Sequence, residues 1–269
     1  MLAPPVDLPC VSSWSSGVNA NRFVASVSHE ETLARLDYLV KYQRRIGVLS
    51  GPSGGGKSLL LSLSARKWRQ ANCGVALVNA LQLTMPELLA RVAADWRHPI
   101  AFDKPLPLLW QAVLDAMTVQ RCERRASLIL VDDAGVAAPE VLAALERLAH
   151  AADASDSQFT LVFALQPEQL AHLGAGILSR VDLRMDLAPL DVTETQAYLQ
   201  AQLDERGAIP PRLEASAAER LFELSAGLPR RLNQLANLVM LAAAGEGRET
   251  IDAATIDNVY QELTALPLS

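Results

Sequence analysis

The pattern of apolar and polar residues changes character near residue 189. Before that point, apolar runs of about five to seven residues alternate with longer stretches in which apolar residues recur at helical spacing. We expect the apolar runs to be strands, at 46–50, 74–79, 127–131 and 159–164, with a shorter fifth strand within 181–187. Strands that alternate with helices predict an α/β fold, with a parallel sheet covered by helices on both faces.

After about Pro189 the strand signals stop, and helical spacing continues in four stretches, at 193–206, 215–225, 229–244 and 253–263. The sequence therefore predicts an α/β domain followed by a small all-α domain. We expect three parts: an N-terminal arm rich in Pro, Ser and Asn at 1–22, an α/β core at 23–188 and a helical domain at 189–269.

The segment between the first strand and the following helix matches the pattern G-x-x-x-x-G-K-[ST] of a phosphate-binding loop. Inward-pointing backbone N–H groups hold a polyphosphate, and glycine lets the backbone turn that tightly. The following helix adds its unpaired amides and the positive end of its dipole. We expect a nucleoside triphosphate here, with Lys57 on the β- and γ-phosphates and Ser58 on Mg²⁺; the alternative is a glycine-rich surface turn. The expected binding residues are Gly51, Pro52, Ser53, Gly54, Gly55, Gly56, Lys57, Ser58 and Leu59.

The third predicted strand is followed by two carboxylates, Asp132 and Asp133. A triphosphatase needs a carboxylate at a strand end to hold Mg²⁺ and a second group to polarise the attacking water. We assign Asp132 to the magnesium and Asp133 to the water; the alternative is an ordinary acidic turn. Gln166 follows the next strand, so its amide is expected near the γ-phosphate, unless Pro167 simply starts a helix there.

A predicted helix precedes the phosphate loop, with Leu33, Leu36 and Leu39 at helical spacing. Ser28 is the expected N-cap of this helix, because Glu31 lies three residues on, as in a capping box. Two placements stay open for the next residue, His29: against the nucleotide base, or on the surface of the first turn.

Composition narrows the class of protein. The chain has 269 residues, of which 50% are hydrophobic and 20% are charged, as in ordinary globular domains. A net charge of −6 argues against tight nucleic-acid binding, although it leaves room for a local basic patch.

The cysteines and the apolar runs bear on where the protein is found. Cys10, Cys73 and Cys122 show no metal-ligand spacing, which indicates reduced thiols in a cytoplasmic protein. With no apolar run of about 18 residues and no basic residue before the N-terminal prolines, we expect neither a secretory signal nor direct membrane insertion.

Together these features resemble an AAA+ ATPase, which is a P-loop αβα sandwich followed by a helical lid. Within that superfamily the chain is most similar to the ATPase domain of general secretion pathway protein A, a family related to the helper ATPases of transposition. The resemblance covers about residues 23–263. Besides the phosphate loop, it is carried by Ser28-His29-Glu30, Asp132-Asp133-Ala134, Gln166-Pro167-Glu168-Gln169-Leu170, Arg180 with Arg184, and Gly227-Leu228-Pro229-Arg230.

The resemblance implies roles for three further side chains. Gln166 is similar to the sensor 1 residue of the family. Arg180 matches the arginine that such proteins offer to a neighbouring subunit's nucleotide, where an arginine raises the rate about 10³–10⁵-fold. Arg184 is the alternate candidate, and a surface ion pair is open for either. Arg230 resembles the sensor 2 arginine, which reaches back to the phosphates, and its neighbour Arg231 leaves that assignment open by one residue.

One position departs from the family pattern. The family usually carries Asp-Glu where this chain has Asp132-Asp133. Aspartate is one methylene shorter than glutamate, and a misplacement of about 1 Å can cost on the order of 10²-fold in rate. We therefore expect hydrolysis to be slow.

Three functions are the main candidates for these residues, and a metabolic kinase is a weaker fourth because the sequence shows no motif for a phosphoacceptor site. The main hypothesis is a cytoplasmic ATPase that uses ATP and Mg²⁺, assembles into a homo-oligomeric ring or filament through shared nucleotide sites, and remodels or switches an unidentified protein partner. A DNA-associated regulator of the transposition-helper type would bind duplex DNA with steep salt dependence, but the net charge disfavours it. A nucleotide-gated scaffold with very slow hydrolysis is the third, and Asp133 is the residue that favours it.

Overall fold

The computed structural model describes residues 26–154, 158–204 and 212–265. Val27–Ala188 form one compact unit, here called the core unit, and the described residues from Pro189 onward belong to a second, here called the helical unit. The predicted N-terminal arm at 1–22 lies outside the described residues. None of the described helices is long and apolar enough to cross a membrane.

The core unit is built on a five-stranded sheet in the order β2-β3-β4-β1-β5, in which all the neighbouring strands are parallel. The prediction of an α/β fold with about five parallel strands is therefore confirmed. The strands are β1 Ile46–Ser50, β2 Gly74–Asn79, β3 Ser127–Asp132, β4 Phe159–Leu165 and β5 Leu183–Asp186. Every residue of the three interior strands β3, β4 and β1 is buried, because helices cover both faces of the sheet.

Apolar side chains on both faces of the sheet hold the helices in place. On one face, Ile129 and Val131 of β3 belong to a large buried cluster with the helices between β2 and β4. Leu128 and Leu130 point to the opposite face, where they are fully buried as well. The helices of the core unit are α1 Val27–Lys41, α2 Lys57–Gln70, α3 Met85–Asp95, α4 Leu106–Cys122, α5 Pro139–Ala154 and α6 Gly174–Leu178, with 3₁₀-helices at Ala134–Val136 and Pro167–Leu173.

The parallel arrangement gives the sheet two chemically different edges. At the carboxyl edge, β1 leads into the phosphate loop, β3 ends at Asp132, and β4 is followed by Gln166. Because β4 lies between β1 and β3, Gln166 follows the strand that separates the loop from the acids. Arg45 and Asp182 mark the opposite, amino edge, where the backbone amides of Arg45 and Ile46 donate to the Asp182 carboxylate at 2.7 and 3.1 Å.

The helical unit has a separate apolar core, formed by residues such as Leu199, Leu221, Leu232 and Val239. Its helices are α7 Val192–Asp204, α8 Ala215–Ser225, α9 Pro229–Gly245 and α10 Ala253–Ala265. Two short strands, β6 Arg212–Leu213 and β7 Thr250–Ile251, pair in parallel. The sequence did not predict these strands, because two residues are too short to show a period.

The turn before α9 requires glycine. Gly227 has φ +67°, and an ideal Cβ at this position would lie 2.1 Å from the carbonyl oxygen of Leu190. The Leu190 amide also donates to the Gly227 carbonyl at 2.9 Å. Glycine is therefore required at position 227 because two backbone segments approach each other closely there. This residue is the first of the Gly227-Leu228-Pro229 segment that was part of the family resemblance.

Candidate functional site

The phosphate loop spans the six residues between the end of β1 and the start of α2. Gly56, which precedes α2, has φ +103°, and Gly54 has φ +79°; side chains other than glycine are strained at such angles. The Gly55 amide donates to the Pro52 carbonyl at 3.1 Å, which closes the turn. The loop therefore brings the chain directly to the N-terminus of α2, where the first amides have no partner within the helix.

The first residue of the loop is held between two strand ends. The Gly51 amide donates to the Leu165 carbonyl at 3.3 Å, at the end of β4. An ideal Cβ on Gly51 would lie 2.9 Å from the Leu187 carbonyl oxygen and 3.0 Å from the Leu187 Cβ, just after β5. Both obstacles belong to backbone or to a Cβ, which cannot rotate away, so this position has no room for a side chain.

Lys57 is only 7% exposed and lies over the loop that precedes it. Its Nζ donates to the carbonyl oxygens of Gly51 and Pro52, at 2.8 and 2.9 Å. The ammonium is therefore inside the curve of the loop instead of in solvent, and its positive charge is available to a polyphosphate bound there.

The two predicted magnesium ligands, Ser58 and Asp132, contact each other. Asp132 is 9% exposed at the end of β3, and burial raises the pKa of its carboxyl group above the usual aspartate value. The nearby Asp133 carboxylate also raises this pKa, whereas a hydrogen bond from Ser58, the backbone amide of Asp133 and the charge of Lys57 lower it. A desolvated carboxylate beside a hydroxyl is an oxygen-donor pair that suits Mg²⁺, because a cation offsets the cost of burying the charge.

The rest of the magnesium shell would have to come from water and phosphate oxygens. Within residues 26–154, 158–204 and 212–265, no three His, Cys, Asp or Glu side chains converge on one point that could hold a metal ion. Mg²⁺ in nucleotide sites is commonly held by one or two side chains together with substrate phosphates and water. Ser58 and Asp132 fit that chemistry.

Asp133 is held by a residue that the sequence analysis missed. Its side chain accepts a hydrogen bond from the Asn79 amide at 2.9 Å, and Asn79 Oδ1 in turn accepts the Leu81 backbone amide at 2.8 Å. Asp133 is exposed and adopts φ +52°, a left-handed conformation that costs energy for a residue other than glycine and is common at functional sites. The only sequence signal for Asn79 was a polar residue at the end of an apolar strand.

Gln166 precedes the 3₁₀-helix Pro167–Leu173. Its backbone amide donates to Gln169 Oε1 at 3.1 Å, and the same oxygen lies 2.2 Å from where a Cβ of Gly135 would be. His172, to which the sequence gave no role, has its Nε2 2.8 Å from the Ala137 carbonyl. The segments that follow β3 and β4 are therefore bound to each other. The helix start expected from Pro167 is present, and the sensor role of Gln166 stays a prediction.

The structure corrects two expectations about the first turn of α1. His29 is 4% exposed, and its Nε2 lies 3.1 Å from the Gly55 carbonyl oxygen, so its placement on the surface is wrong. Ser28 is not the N-cap, because α1 begins at Val27. Instead, the Ser28 hydroxyl accepts the Ala188 amide at 3.2 Å. The role of His29 against the nucleotide base stays a prediction.

Arg180 lies at the amino edge of the sheet, away from the phosphate loop of its own chain. It forms an ion pair with Asp153 near the end of α5, and the same carboxylate pairs with Arg45 Nε at 3.0 Å. Arg180 Nη1 is buried and has no hydrogen-bond partner among the residues that the structure describes. The ion-pair alternative is therefore present for Arg180, and its role toward a neighbouring subunit stays a prediction.

The other three candidate arginines, Arg184, Arg230 and Arg231, are exposed. The side chain of Arg184, on β5, reaches solvent, and its carbonyl accepts a 3.4 Å hydrogen bond from Arg35 on α1. Arg230 is the second residue of α9 in the helical unit, and Arg231 beside it is exposed as well. The sensor 2 role of Arg230 stays a prediction.

Comparison with known proteins defines the class. A protein-family model described as an AAA domain matches residues 40–173, from the end of α1 to the 3₁₀-helix after β4. This part of the chain matches an AAA domain, which confirms the resemblance to an AAA+ P-loop ATPase seen in the sequence.

A relative with a similar sequence is general secretion pathway protein A of Aeromonas hydrophila. The two sequences are 26% identical over 257 residues, which cover 94% of this chain and 47% of the relative. The chain therefore spans about half the length of that protein.

Solved structures share the fold at lower sequence identity. Cdc6p from Pyrobaculum aerophilum has a TM-score of 0.70 and 16% identity, with 92% of this chain and 72% of that chain covered. The RuvB Holliday junction branch migration motor of Thermotoga maritima has a TM-score of 0.60 and 18% identity, with coverage of 90% and 70%. Drosophila ORC bound to DNA has a TM-score of 0.66 and 15% identity, with coverage of 99% and 70%. These likenesses establish the fold.

Gly51→Ala is expected to weaken binding of Mg²⁺–ATP about 10-fold or more, because the new Cβ must push the loop away from the Leu187 backbone. Titration with a fluorescent ATP analogue measures the affinity. The matched control is Gly245→Ala at the end of α9, where an added Cβ meets no described atom within 4 Å. If both variants bound like the parent, the loop would have more freedom than these distances indicate.

Asp132→Asn is expected to raise the Tm at pH 7 while abolishing the further rise that Mg²⁺–ATP causes in the parent. Because folding raises the pKa of this carboxyl group, its ionisation costs stability at neutral pH, and asparagine carries no charge. The gain should vanish as the pH falls below the usual pKa of aspartate, where the carboxyl is protonated in both the folded and the unfolded state. Thermal unfolding at several pH values tests this, with the exposed Asp115→Asn as control. A gain that does not change with pH would contradict the burial effect.

Proposed function

We propose that this protein binds ATP with Mg²⁺ at residues 51–58 and hydrolyses it slowly within a homo-oligomer whose subunits share nucleotide sites. The cycle would remodel or switch a protein partner; the net charge of −6 makes DNA the less favoured partner. The observation that carries the proposal is the convergence of the Lys57 ammonium, the Ser58 hydroxyl and the buried Asp132 carboxylate on one glycine-rich loop.

Each residue of the site has a chemical task in this proposal. The loop amides and Lys57 would bind the β- and γ-phosphates, and α2 would add the positive end of its dipole. Ser58 and Asp132 would hold the Mg²⁺, which when bound neutralises charge on the phosphate oxygens. Asp133, oriented by Asn79, would accept a proton from the attacking water.

The position of Arg180 supports a site completed between subunits. β1 has five residues, so about 16 Å of strand separates the amino edge, where Arg180 lies, from the phosphate loop. An arginine side chain does not span that distance, and Arg180 therefore cannot reach the phosphates of its own chain. In a head-to-tail assembly, the amino edge of one subunit would face the carboxyl edge of the next.

Arg180 would have to leave Asp153 in order to reach a neighbour's nucleotide. The buried, unsatisfied Nη1 shows that Asp153 does not satisfy the whole guanidinium, so an exchange for phosphate oxygens recovers a hydrogen bond that the present pairing leaves unmade. Asp153 is thus proposed to hold the arginine until a neighbouring subunit binds.

Steady-state ATP hydrolysis measured against protein concentration tests the shared site. Specific activity of the parent should rise with concentration, and Arg180→Ala should lower the plateau about 10³-fold or more. Arg184→Ala tests the alternate candidate, and it should stay within a few fold of the parent if Arg180 is the arginine that acts on the neighbouring nucleotide. Activity that does not depend on concentration, and that survives Arg180→Ala, would show that each chain works alone.

A nucleotide-gated scaffold is the second candidate, and the state of Asp133 favours it. This carboxylate is one methylene shorter than the glutamate of the family pattern and is bonded to Asn79. A chain of this kind would bind ATP and change its assembly with little turnover.

Asp133→Glu is expected to raise kcat by about 10-fold or more without changing the affinity for ATP, because the longer side chain brings the carboxylate closer to the attacking water. Single-turnover hydrolysis and ATP binding should be measured on the same samples. Asp133→Asn is the control, which should bind ATP and lose hydrolysis. Equal rates for Asp133→Glu and the parent would mean that the length of this side chain does not limit the reaction.

A further inference from the structure

His29 lies directly beneath the end of the phosphate loop. Its Nε2 is 3.1 Å from the Gly55 carbonyl oxygen, and the same nitrogen would be 2.8 Å from a Cβ on Gly56. The imidazole, 4% exposed, therefore fills the space under the Gly55–Gly56 peptide, although it comes from a helix 26 residues earlier in the chain. Neither of its expected placements, at the base or at the surface, describes this contact.

The chemistry of the contact fixes the direction of the hydrogen bond. A carbonyl oxygen only accepts, so Nε2 must carry a proton and donate it to Gly55. In a trans peptide the C=O and N–H groups point in opposite directions. With the Gly55 oxygen held toward His29, the N–H of Gly56 points away from His29, at the residue where the loop joins α2.

This peptide needs such a partner, because the local sequence does not fix it. Gly54, Gly55 and Gly56 are consecutive, and glycine accepts both signs of φ, so the peptide planes between them can turn over at low cost. A flipped Gly55–Gly56 peptide would present a carbonyl oxygen where the loop needs an N–H donor, which would repel a phosphate. The bond to His29 favours one of the two orientations.

The imidazole is carried by a firmly packed helix. Leu36 and Leu39 of α1 are fully buried, and an ideal Cβ on Gly47 in β1 would lie 2.4 Å from Leu39 Cδ1. The close approach of α1 to β1 therefore depends on the missing side chain of Gly47. On the other side of the first turn, Ser28 binds the Ala188 amide. Residues positioned by such rigid elements hold a functional geometry well.

We propose that His29 is a positioning residue for the phosphate loop, which holds the Gly55–Gly56 peptide with its N–H available to a polyphosphate and has no contact with the nucleotide base. This inference rests on the proposed binding of ATP at residues 51–58. It deepens that proposal, because it predicts a histidine effect that is the same for any ligand carrying the triphosphate.

The test compares two probes, Mg²⁺–ATP and inorganic tripolyphosphate with Mg²⁺, by isothermal titration calorimetry. His29→Ala should weaken both by the same factor, about 10-fold, which is the worth of one buried hydrogen bond. His29→Gln should restore both affinities to within about 3-fold of the parent, because its amide N–H can donate in place of Nε2. Leu36→Val, a change in the same helix away from the loop, should lower the Tm and leave both affinities unchanged.

Several results would overturn the inference. If His29→Ala weakened ATP but not tripolyphosphate, the histidine would act on the base. If Leu36→Val weakened both probes as much as His29→Ala at a similar Tm, the effect would be general loss of stability. If His29→Ala bound both probes like the parent while Lys57→Ala lost them, the loop would bind phosphate without this histidine and the proposed function would stand. If the parent bound neither probe, the proposed function would fail, and the inference with it.

Discussion

The common direction of the five strands is the constraint on which this site depends. Parallel strands end at the same edge of a sheet, so the loop after β1, the acids after β3 and the glutamine after β4 meet there although they are far apart in sequence. The order of the strands then sets their spacing. β3 lies one strand away from β1, which lets Ser58, at the start of the helix after β1, reach Asp132 at the end of β3.

The common direction of the strands also separates the phosphate loop from Arg180, because the two lie at opposite edges of the sheet. The glycine-rich loop, Lys57 and Asp132 lie at the carboxyl edge, whereas Arg180, Asp153 and Arg45 lie at the amino edge. If Arg180 serves a neighbouring subunit as proposed, each chain would offer the arginine at its amino edge and the phosphate loop at its carboxyl edge, and a second copy would bring the two together. Burial makes the ionised form of Asp132 unfavourable, and a bound cation would offset that cost.

Local patterns in the sequence were enough for the parts of the structure that are themselves local. Four of the five strands of the core sheet follow from apolar runs, and the loop at 51–58 follows from the spacing of its glycines, Lys57 and Ser58. The family resemblance supplied the expected roles of Gln166, Arg180 and Arg230. None of this required knowledge of which strands are neighbours.

Contacts across the fold were not predictable from the sequence. Asn79 and Asp133 meet because β2 lies beside β3, a fact that strand order alone decides. His29 contacts Gly55 from α1, and the position of α1 depends on its packing against β1. Arg180 pairs with Asp153 because α5 ends near the amino edge of the sheet. In each case the side chain is ordinary, and its significance comes from a partner that is distant along the chain.

The contact between Gln169 and Gly135 has a consequence for the history of this fold. The Gln169 side chain occupies the volume that a side chain at 135 would need, with only 2.2 Å between its Oε1 and an ideal Cβ. Neither residue can change in size by itself without disturbing the segments that carry Asp133 and Gln166. Across a lineage, these two positions should therefore evolve as a pair, with a larger residue at 135 accompanied by a smaller one at 169.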